Sequence, residues 1–206
     1  MADLTYVAEV HHQHRDVTGG WLRPAVFGVM DGLVSNAALL AGVVGSGAAP
    51  ATVVVAGLAG LAAGAFSMAT GEYTSVASQR ELTQAEIATE RREITENPEA
   101  EERELALVYE ARGLTEDLPS PWVAAGSSFL AFALGALIPV LPFLFGLTSI
   151  LAPIAVTGLA LFGTGALVAR LTTRSPLFGG VRQLALGAAA ATVTYGIGAL
   201  VGTAVS

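Results

Sequence analysis

Residues 24–45 read PAVFGVMDGLVSNAALLAGVVG, a predominantly apolar run whose one charged residue is Asp31. A transmembrane helix needs about 20 predominantly apolar residues, so this run is long enough to cross a bilayer. A carboxylate at bilayer depth costs roughly 2.5–3.5 kcal/mol on insertion scales, and it is therefore usually retained for function. The run predicts a membrane-spanning helix with a functional group inside it.

Four more apolar runs of similar length follow. The chain has 206 residues, 53% of them hydrophobic and only 13% charged, and its mean hydropathy is +0.62. A soluble globular domain carries about 25% charged residues, so the composition indicates a membrane protein. The five predicted spans are Pro24–Gly45, Thr52–Val76, Trp122–Phe145, Leu147–Leu171 and Leu184–Val205.

The predicted fold is an all-α membrane protein, a bundle of five transmembrane helices with a short cytoplasmic helical hairpin between helices two and three. The N-terminal tail has no short apolar core or small-residue cleavage site of the secretory type, so the first span is expected to be its own targeting signal. Cysteine is absent, which excludes disulfides and thiolate metal sites. The predicted segments are a cytoplasmic tail at 1–23, helices one and two at 24–77, cytoplasmic acidic helices at 78–119, and helices three to five at 120–206.

The basic residues predict the orientation. All ten are arginines, and they lie before span one, between spans two and three, or from the last residues of span four to the start of span five. Under the positive-inside rule those regions are cytoplasmic, and the C-terminus lies on the opposite side of the membrane. The arginines are Arg15, Arg23, Arg80, Arg91, Arg92, Arg103, Arg112, Arg170, Arg174 and Arg182.

The segment between spans two and three is strongly acidic. Residues Arg80–Leu118 contain twelve of the seventeen acidic residues of the chain. No glycine or proline occurs from Ser78 to Glu96, so span two is expected to continue into the cytoplasm as one long helix. Asn97 and Pro98 form an N-cap followed by proline at the first helical position, which predicts a second helix ending at Gly113.

Polar side chains recur at helical spacing inside spans one and two. Ser35 lies four residues after Asp31 and Asn36 lies five after it, which predicts a polar stripe on one face. Met68 and Glu72 are also four residues apart and share a face. Together these residues offer a divalent cation two carboxylates and a soft sulfur, so they are candidates for an ion translocation path.

Each candidate also has a structural interpretation. Asp31 would then only form hydrogen bonds within the bundle, and Glu72 would be solvated near the cytoplasmic end of its helix. Met68 alone is more often part of a core than a ligand.

The acidic segment repeats a pair spacing. Glu90 and Glu93 are three residues apart, and Glu101 and Glu104 repeat that spacing on the next predicted helix. Carboxylates at this spacing point the same way and repel each other at neutral pH. A hairpin that brings the two pairs together forms a negative pocket suited to a multivalent cation. The alternative is a charged helix face that is simply solvated.

Other motifs carry less chemistry. His11, His12 and His14 have no metal-ligand spacing and are expected to be part of an ordinary juxtamembrane tail. The sequence has no nucleotide-binding loop, nucleophile elbow or HExxH motif, so an enzyme is not expected. Neither a prosthetic group nor a nucleic acid partner is expected. Glycine pairs at spacing four predict close helix packing, and they are Gly28/Gly32, Gly60/Gly64 and Gly198/Gly202.

The motifs taken together resemble those of the vacuolar iron transporter family. Their order and spacing match over essentially the whole chain. The stretches that carry the resemblance are Gly20–Arg23, Asp31–Asn36, Ser67–Tyr73 and Ser120–Trp122.

The resemblance implies a homodimer of five-helix subunits that exports Fe²⁺, Mn²⁺ or related divalent ions from the cytosol in exchange for protons, serving iron and manganese homeostasis. A compact, alanine-rich member is expected in a prokaryotic plasma membrane. Asp31 and Met68 match translocation-path positions of the family. Carboxylates of its cytoplasmic metal-binding domain are matched by Glu90, Glu93, Glu101 and Glu104.

Two departures from the family pattern stand out. Gly60 occupies a position where eukaryotic members carry a further carboxylate, and Glu72 is the candidate to replace it. Only Leu114–Pro119 separate Gly113 from Ser120, so a third cytoplasmic helix is missing and the cytoplasmic domain is shortened. The soluble segment is therefore expected either to bind metal more weakly or to need the partner subunit.

Two other functions stay open at this point. A non-transporting membrane metal sensor or scaffold would bind ions on the acidic hairpin without moving them. An intramembrane hydrolase would use Asp31 and Glu72 as acid and base, although the sequence shows no substrate groove. Oxygen ligands with one thioether accept Fe²⁺, Mn²⁺, Co²⁺ and Zn²⁺, so the sequence alone does not select the metal.

Overall fold

The computed structural model describes residues 20–96, 98, 120–147, 149–171 and 174–205. All regular structure in those residues is helical, with no strand, so the all-α prediction is confirmed for the part of the chain described. The helices are α1 (Leu22–Gly45), α2 (Pro50–Glu96), α3 (Pro121–Leu137), α4 (Leu141–Leu144), α5 (Leu151–Leu171) and α6 (Pro176–Val205).

Four of these helices, α1, α2, α5 and α6, are long and apolar enough to cross a membrane. The third predicted span instead divides into α3, with 17 residues, and α4, with four. Pro139 has no backbone N–H, and Ile138 and Val140 donate to carbonyls only three residues back, at 3.3 and 3.0 Å. The helix therefore breaks inside the apolar run, and the count of five spans stays a prediction.

Helix α2 is much longer than a bilayer requires. Its 47 residues at 1.5 Å per residue extend about 70 Å, against a hydrocarbon core of about 30 Å. The uninterrupted helix from Ser78 to Glu96 agrees with the absence of glycine and proline there. The predicted segment boundary at 77/78 lies within this continuous helix. The second helix of the predicted hairpin lies outside the described residues.

Helix α6 begins at Pro176, eight residues before the predicted start at Leu184. Proline is favoured in the first turn of a helix, and the Arg182 guanidinium lies 5.7 Å from the centre of the Phe178 ring one turn earlier. The sequence analysis placed the start of this helix too late in the chain, because Arg182 and Gln183 lower the local hydropathy without interrupting the helix.

Helix α1 lies at the centre of the bundle and contacts α2, α3, α5 and α6. Close approach to α3 depends on small residues: a Cβ added at Gly28 would lie 2.7 Å from the Ser128 carbonyl oxygen. Such close contacts stabilise helix association inside the membrane, where the hydrophobic effect does not drive helices together. Phe132 of α3 then fills the space beside Gly64 of α2 and forms a core with Ala65 and Ala136.

Candidate functional site

Helix α1 carries a stripe of exposed side chains spaced by four residues. The exposed fractions of Phe27 and Leu39 are 56% and 41%, and Asp31 and Ser35 lie exposed between them. Side chains at this spacing lie near one face of a helix. Hereafter these four residues are called the Asp31 stripe. The charged group of span one therefore lies on the outer surface of a single chain.

Ser35 and Asp31 are coupled through the backbone. The Ser35 hydroxyl donates to the Asp31 carbonyl oxygen at 2.6 Å, the bond commonly formed by a helical serine to the preceding turn. This bond uses the hydroxyl proton and leaves the lone pairs of Ser35 Oγ available. The Asp31 carboxylate and the Ser35 hydroxyl thus present oxygen acceptors on the same exposed face.

Asn36, predicted to share a polar stripe with Asp31 and Ser35, does not lie on their exposed face. It is only 2% exposed, and its Nδ2 donates to the carbonyl oxygens of Gly57 at 3.2 Å and Ala136 at 2.6 Å. Its Oδ1 is buried without a hydrogen-bond partner in the described part of the chain. A Cβ added at Gly60 would lie 2.7 Å from this oxygen. Asn36 therefore joins α1 to α2 and α3 inside the bundle.

Met68 and Glu72 are both partly buried on α2. Met68 packs against the core formed by Ala65, Phe132 and Ala136. Next to Glu72, the Tyr73 ring lies 4.7 Å from the Trp122 ring, measured between centres, and anchors α2 to the start of α3. Within the described ranges no hydrogen bond or ion pair joins Asp31 to Met68 or Glu72.

Glu90 and Glu93 are exposed near the end of α2. Their predicted counterparts, Glu101 and Glu104, lie outside the described residues. Among the residues that the structure covers, no three histidine or acidic side chains come close enough to hold a metal ion. A single chain therefore places Asp31 beside Ser35. Within the described residues, it does not gather the predicted metal ligands into one cluster.

One polar contact between α1 and α6 has no counterpart in the sequence predictions. The Thr194 hydroxyl donates to the carbonyl oxygen of Ala38 on α1 at 2.6 Å. A threonine within an apolar run was the available signal, but the sequence does not specify which helix it meets. With the Asn36 bonds, this contact holds α1 to three of its neighbours.

The architecture defines a polytopic helical membrane protein with a carboxylate in an apolar span. The chain matches the family model described as VIT family over residues 22–119 and 115–199. The chain belongs to the VIT family, a family of transporters rather than enzymes. The resemblance noted from the sequence is confirmed.

Several relatives cover most of the chain. It is 40% identical to Vacuolar iron transporter homolog 1 of Oryza sativa subsp. japonica over 180 residues, which cover 86% of this chain and 72% of the relative. It is 40% identical to Vacuolar iron transporter homolog 1 of Arabidopsis thaliana over 187 residues, 89% and 84% of the two chains. Identity to Vacuolar iron transporter 1 of rice is 31% over 228 residues, covering 94% and 90%.

Proposed function

We propose that this protein is a homodimeric transporter that moves Fe²⁺ and/or Mn²⁺ out of the cytosol by exchange with protons, in support of iron and manganese homeostasis. The relatives that are named vacuolar iron transporters support iron as a substrate. The observation that carries the proposal is the exposed position of Asp31 within an apolar helix.

A carboxylate that faced lipid at this depth would be unstable, so another surface must cover it. Phe27 and Leu39 give the Asp31 stripe an apolar border suited to helix packing. In a two-fold dimer the same patch of each subunit meets its copy. Two Asp31 carboxylates and two Ser35 hydroxyls would then line one path at the subunit interface. This arrangement supplies the oxygen ligands that divalent cations such as Mn²⁺ accept.

The remaining predicted residues give this path a direction. Glu90 and Glu93, with Glu101 and Glu104, would collect the ion from the cytosol. Glu72 would receive it where α2 enters the membrane, and Met68, one turn earlier in α2 and deeper in the membrane, would pass it towards Asp31. Fe²⁺ and Mn²⁺ are the preferred candidates in this proposal, and Co²⁺ and Zn²⁺ fit the same donor types.

Proton exchange follows from the same carboxylates. Two carboxylates that share a site of low dielectric repel each other once the cation has left. A proton taken up from the far side of the membrane relieves that repulsion, and its release to the cytosol prepares the site for the next ion. Proton flow would thus oppose metal flow.

The proposed setting is a prokaryotic plasma membrane, with the N-terminus in the cytoplasm and the C-terminus outside. The arginine distribution supports the orientation, and the compact, alanine-rich sequence supports the setting. The relatives named above come from plants and are named vacuolar.

The test is metal uptake into proteoliposomes under an imposed pH gradient, measured separately for Fe²⁺, Mn²⁺, Co²⁺ and Zn²⁺. Asp31→Asn is expected to abolish flux, whereas Glu81→Gln, an exposed carboxylate outside the predicted ligand set, is expected to retain it. Collapse of the gradient with a proton ionophore should slow wild-type uptake. Full transport by Asp31→Asn would contradict the proposal, and saturable binding without flux would favour a metal sensor or scaffold.

A further inference from the structure

Helices α5 and α6 are in close contact at one end only. A Cβ added at Gly165 of α5 would lie 2.5 Å from the Gly179 carbonyl oxygen of α6. Towards its other end, α6 packs on α1 instead, where a Cβ at Gly202 would lie 2.5 Å from the Ser46 carbonyl oxygen. Because α6 follows α1 there, a separation opens between the N-terminal turns of α5 and the other two helices.

The separation forms a cavity of about 470 Å³ lined by α1, α4, α5, α6 and the break before α4. Leu40 and Pro139 lie on its buried side. On its open side, Ile154 and Tyr195 are 59% and 47% exposed, and Ala188 is exposed between them. The open side faces away from the bundle, where membrane lipid surrounds the protein. The volume lies within the range of about 300–1,000 Å³ typical of ligand sites.

The length of the cavity matches one leaflet of a bilayer. Its lining extends from Ile150, just before α5, to Leu161 on α5, and from Leu184 to Tyr195 on α6. Each stretch covers a rise of about 16 Å at 1.5 Å per residue. This is close to half of a hydrocarbon core of about 30 Å. A single extended hydrocarbon chain is the shape that such a cavity accommodates.

One polar group in this apolar lining has no partner. Thr157 lines the cavity, is 5% exposed, and its Oγ1 makes no hydrogen bond within the described part of the chain. Thr164 on the same helix shows the usual alternative, because its hydroxyl donates to the Ala160 carbonyl oxygen at 2.9 Å. The Thr157 oxygen is itself enclosed by protein atoms, so the surface that a ligand in the cavity would contact is apolar.

We propose that this cavity binds one acyl chain of a membrane lipid. A phospholipid and a free fatty acid share this chemistry. The α1 residues that line the cavity, which include Ala37 and Ala41, point about 150° away from the Asp31 stripe at 100° per residue. The site is therefore separate from the proposed metal path and subunit interface, and it does not rest on the proposed function.

The first test is native mass spectrometry of the full chain purified from membranes in mild detergent. Ala188 lines the cavity and Ala189 does not, although both are exposed on α6. Wild type and Ala189→Phe are expected to retain one acyl lipid per subunit. Ala188→Phe should retain at least about tenfold less, because the ring takes the place of several methylenes. The mass of the bound molecule distinguishes a phospholipid from a fatty acid.

A second measurement uses the absence of native cysteine. Ala188→Cys should react with a maleimide about tenfold faster after delipidation, while Ala189→Cys should not change. Equal lipid retention by wild type and Ala188→Phe would overturn the proposal. Rapid reaction of Ala188→Cys in membranes with a water-soluble thiol reagent would also overturn it, because the cavity would then be hydrated.

Discussion

The side-chain nitrogen of Asn36 lies 2.6 Å from the carbonyl oxygen of Ala136, and this bond compensates for the break in the third apolar run. In a continuous helix that carbonyl would accept from the N–H of Val140. Val140 donates instead to Leu137, at 3.0 Å, because the chain turns at Pro139. Inside a membrane no water replaces the lost bond, so a side chain from α1 does.

Asn36→Ala should therefore lower stability. The change removes the donor to the carbonyls of Ala136 and Gly57 and leaves a cavity, at a cost of about 1–3 kcal/mol. Thermal unfolding in detergent, followed by circular dichroism, measures the effect. Ser35→Ala, on the exposed neighbour, should change the midpoint little, and equal midpoints for both variants would contradict the role of Asn36.

Gly60→Ala should also destabilise the bundle. The added Cβ would lie 2.7 Å from Asn36 Oδ1, and Asn36 cannot move away without weakening its hydrogen bonds to Gly57 and Ala136, so the change is expected to cost about 1–3 kcal/mol. Gly71→Ala on the same helix is the matched control, because nothing lies within 4 Å of its added Cβ. The control is expected to be neutral or slightly stabilising, since alanine favours helix. A lower midpoint for Gly71→Ala than for Gly60→Ala would be inconsistent with this packing.

Cysteine cross-linking can test whether the Asp31 stripe forms the subunit interface. The chain has no native cysteine, so Ser35→Cys introduces a single thiol on the stripe. Mild oxidation in membranes should give covalent dimers, because a disulfide needs Cα atoms within about 7 Å of each other. Val193→Cys, on α6 and 62% exposed, should remain monomeric on a non-reducing gel. Cross-linking of Val193→Cys alone would place the interface elsewhere.

The acidic end of α2 can be tested by charge removal. Glu90→Gln combined with Glu93→Gln should raise the half-saturating metal concentration for uptake about tenfold, which corresponds to about 1.4 kcal/mol. Glu81→Gln combined with Glu86→Gln removes the same charge from other exposed positions of the helix and should have a much smaller effect. Equal shifts for both double variants would indicate a general surface-charge effect in place of specific ligands.

Much of the helical order could be predicted from the sequence because it depends on local properties. The apolar run around Asp31 forms α1, and the residues between Ser78 and Glu96 continue α2 because they contain no helix breaker. The start of α6 at Pro176 was missed because hydropathy identifies the apolar part of a helix more readily than its polar first turns. The break of the third apolar run at Pro139 was not visible from composition.

Sequence by itself determined that the chain is helical, enters a membrane and carries one carboxylate within its first apolar run. Tertiary structure alone decided what surrounds each polar group. Ser35 and Asn36 are neighbours in the chain, yet Ser35 is exposed beside Asp31 and Asn36 is buried between α2 and α3. Adjacent helical residues point about 100° apart, and only the packing of the other helices determines which direction leads into the bundle.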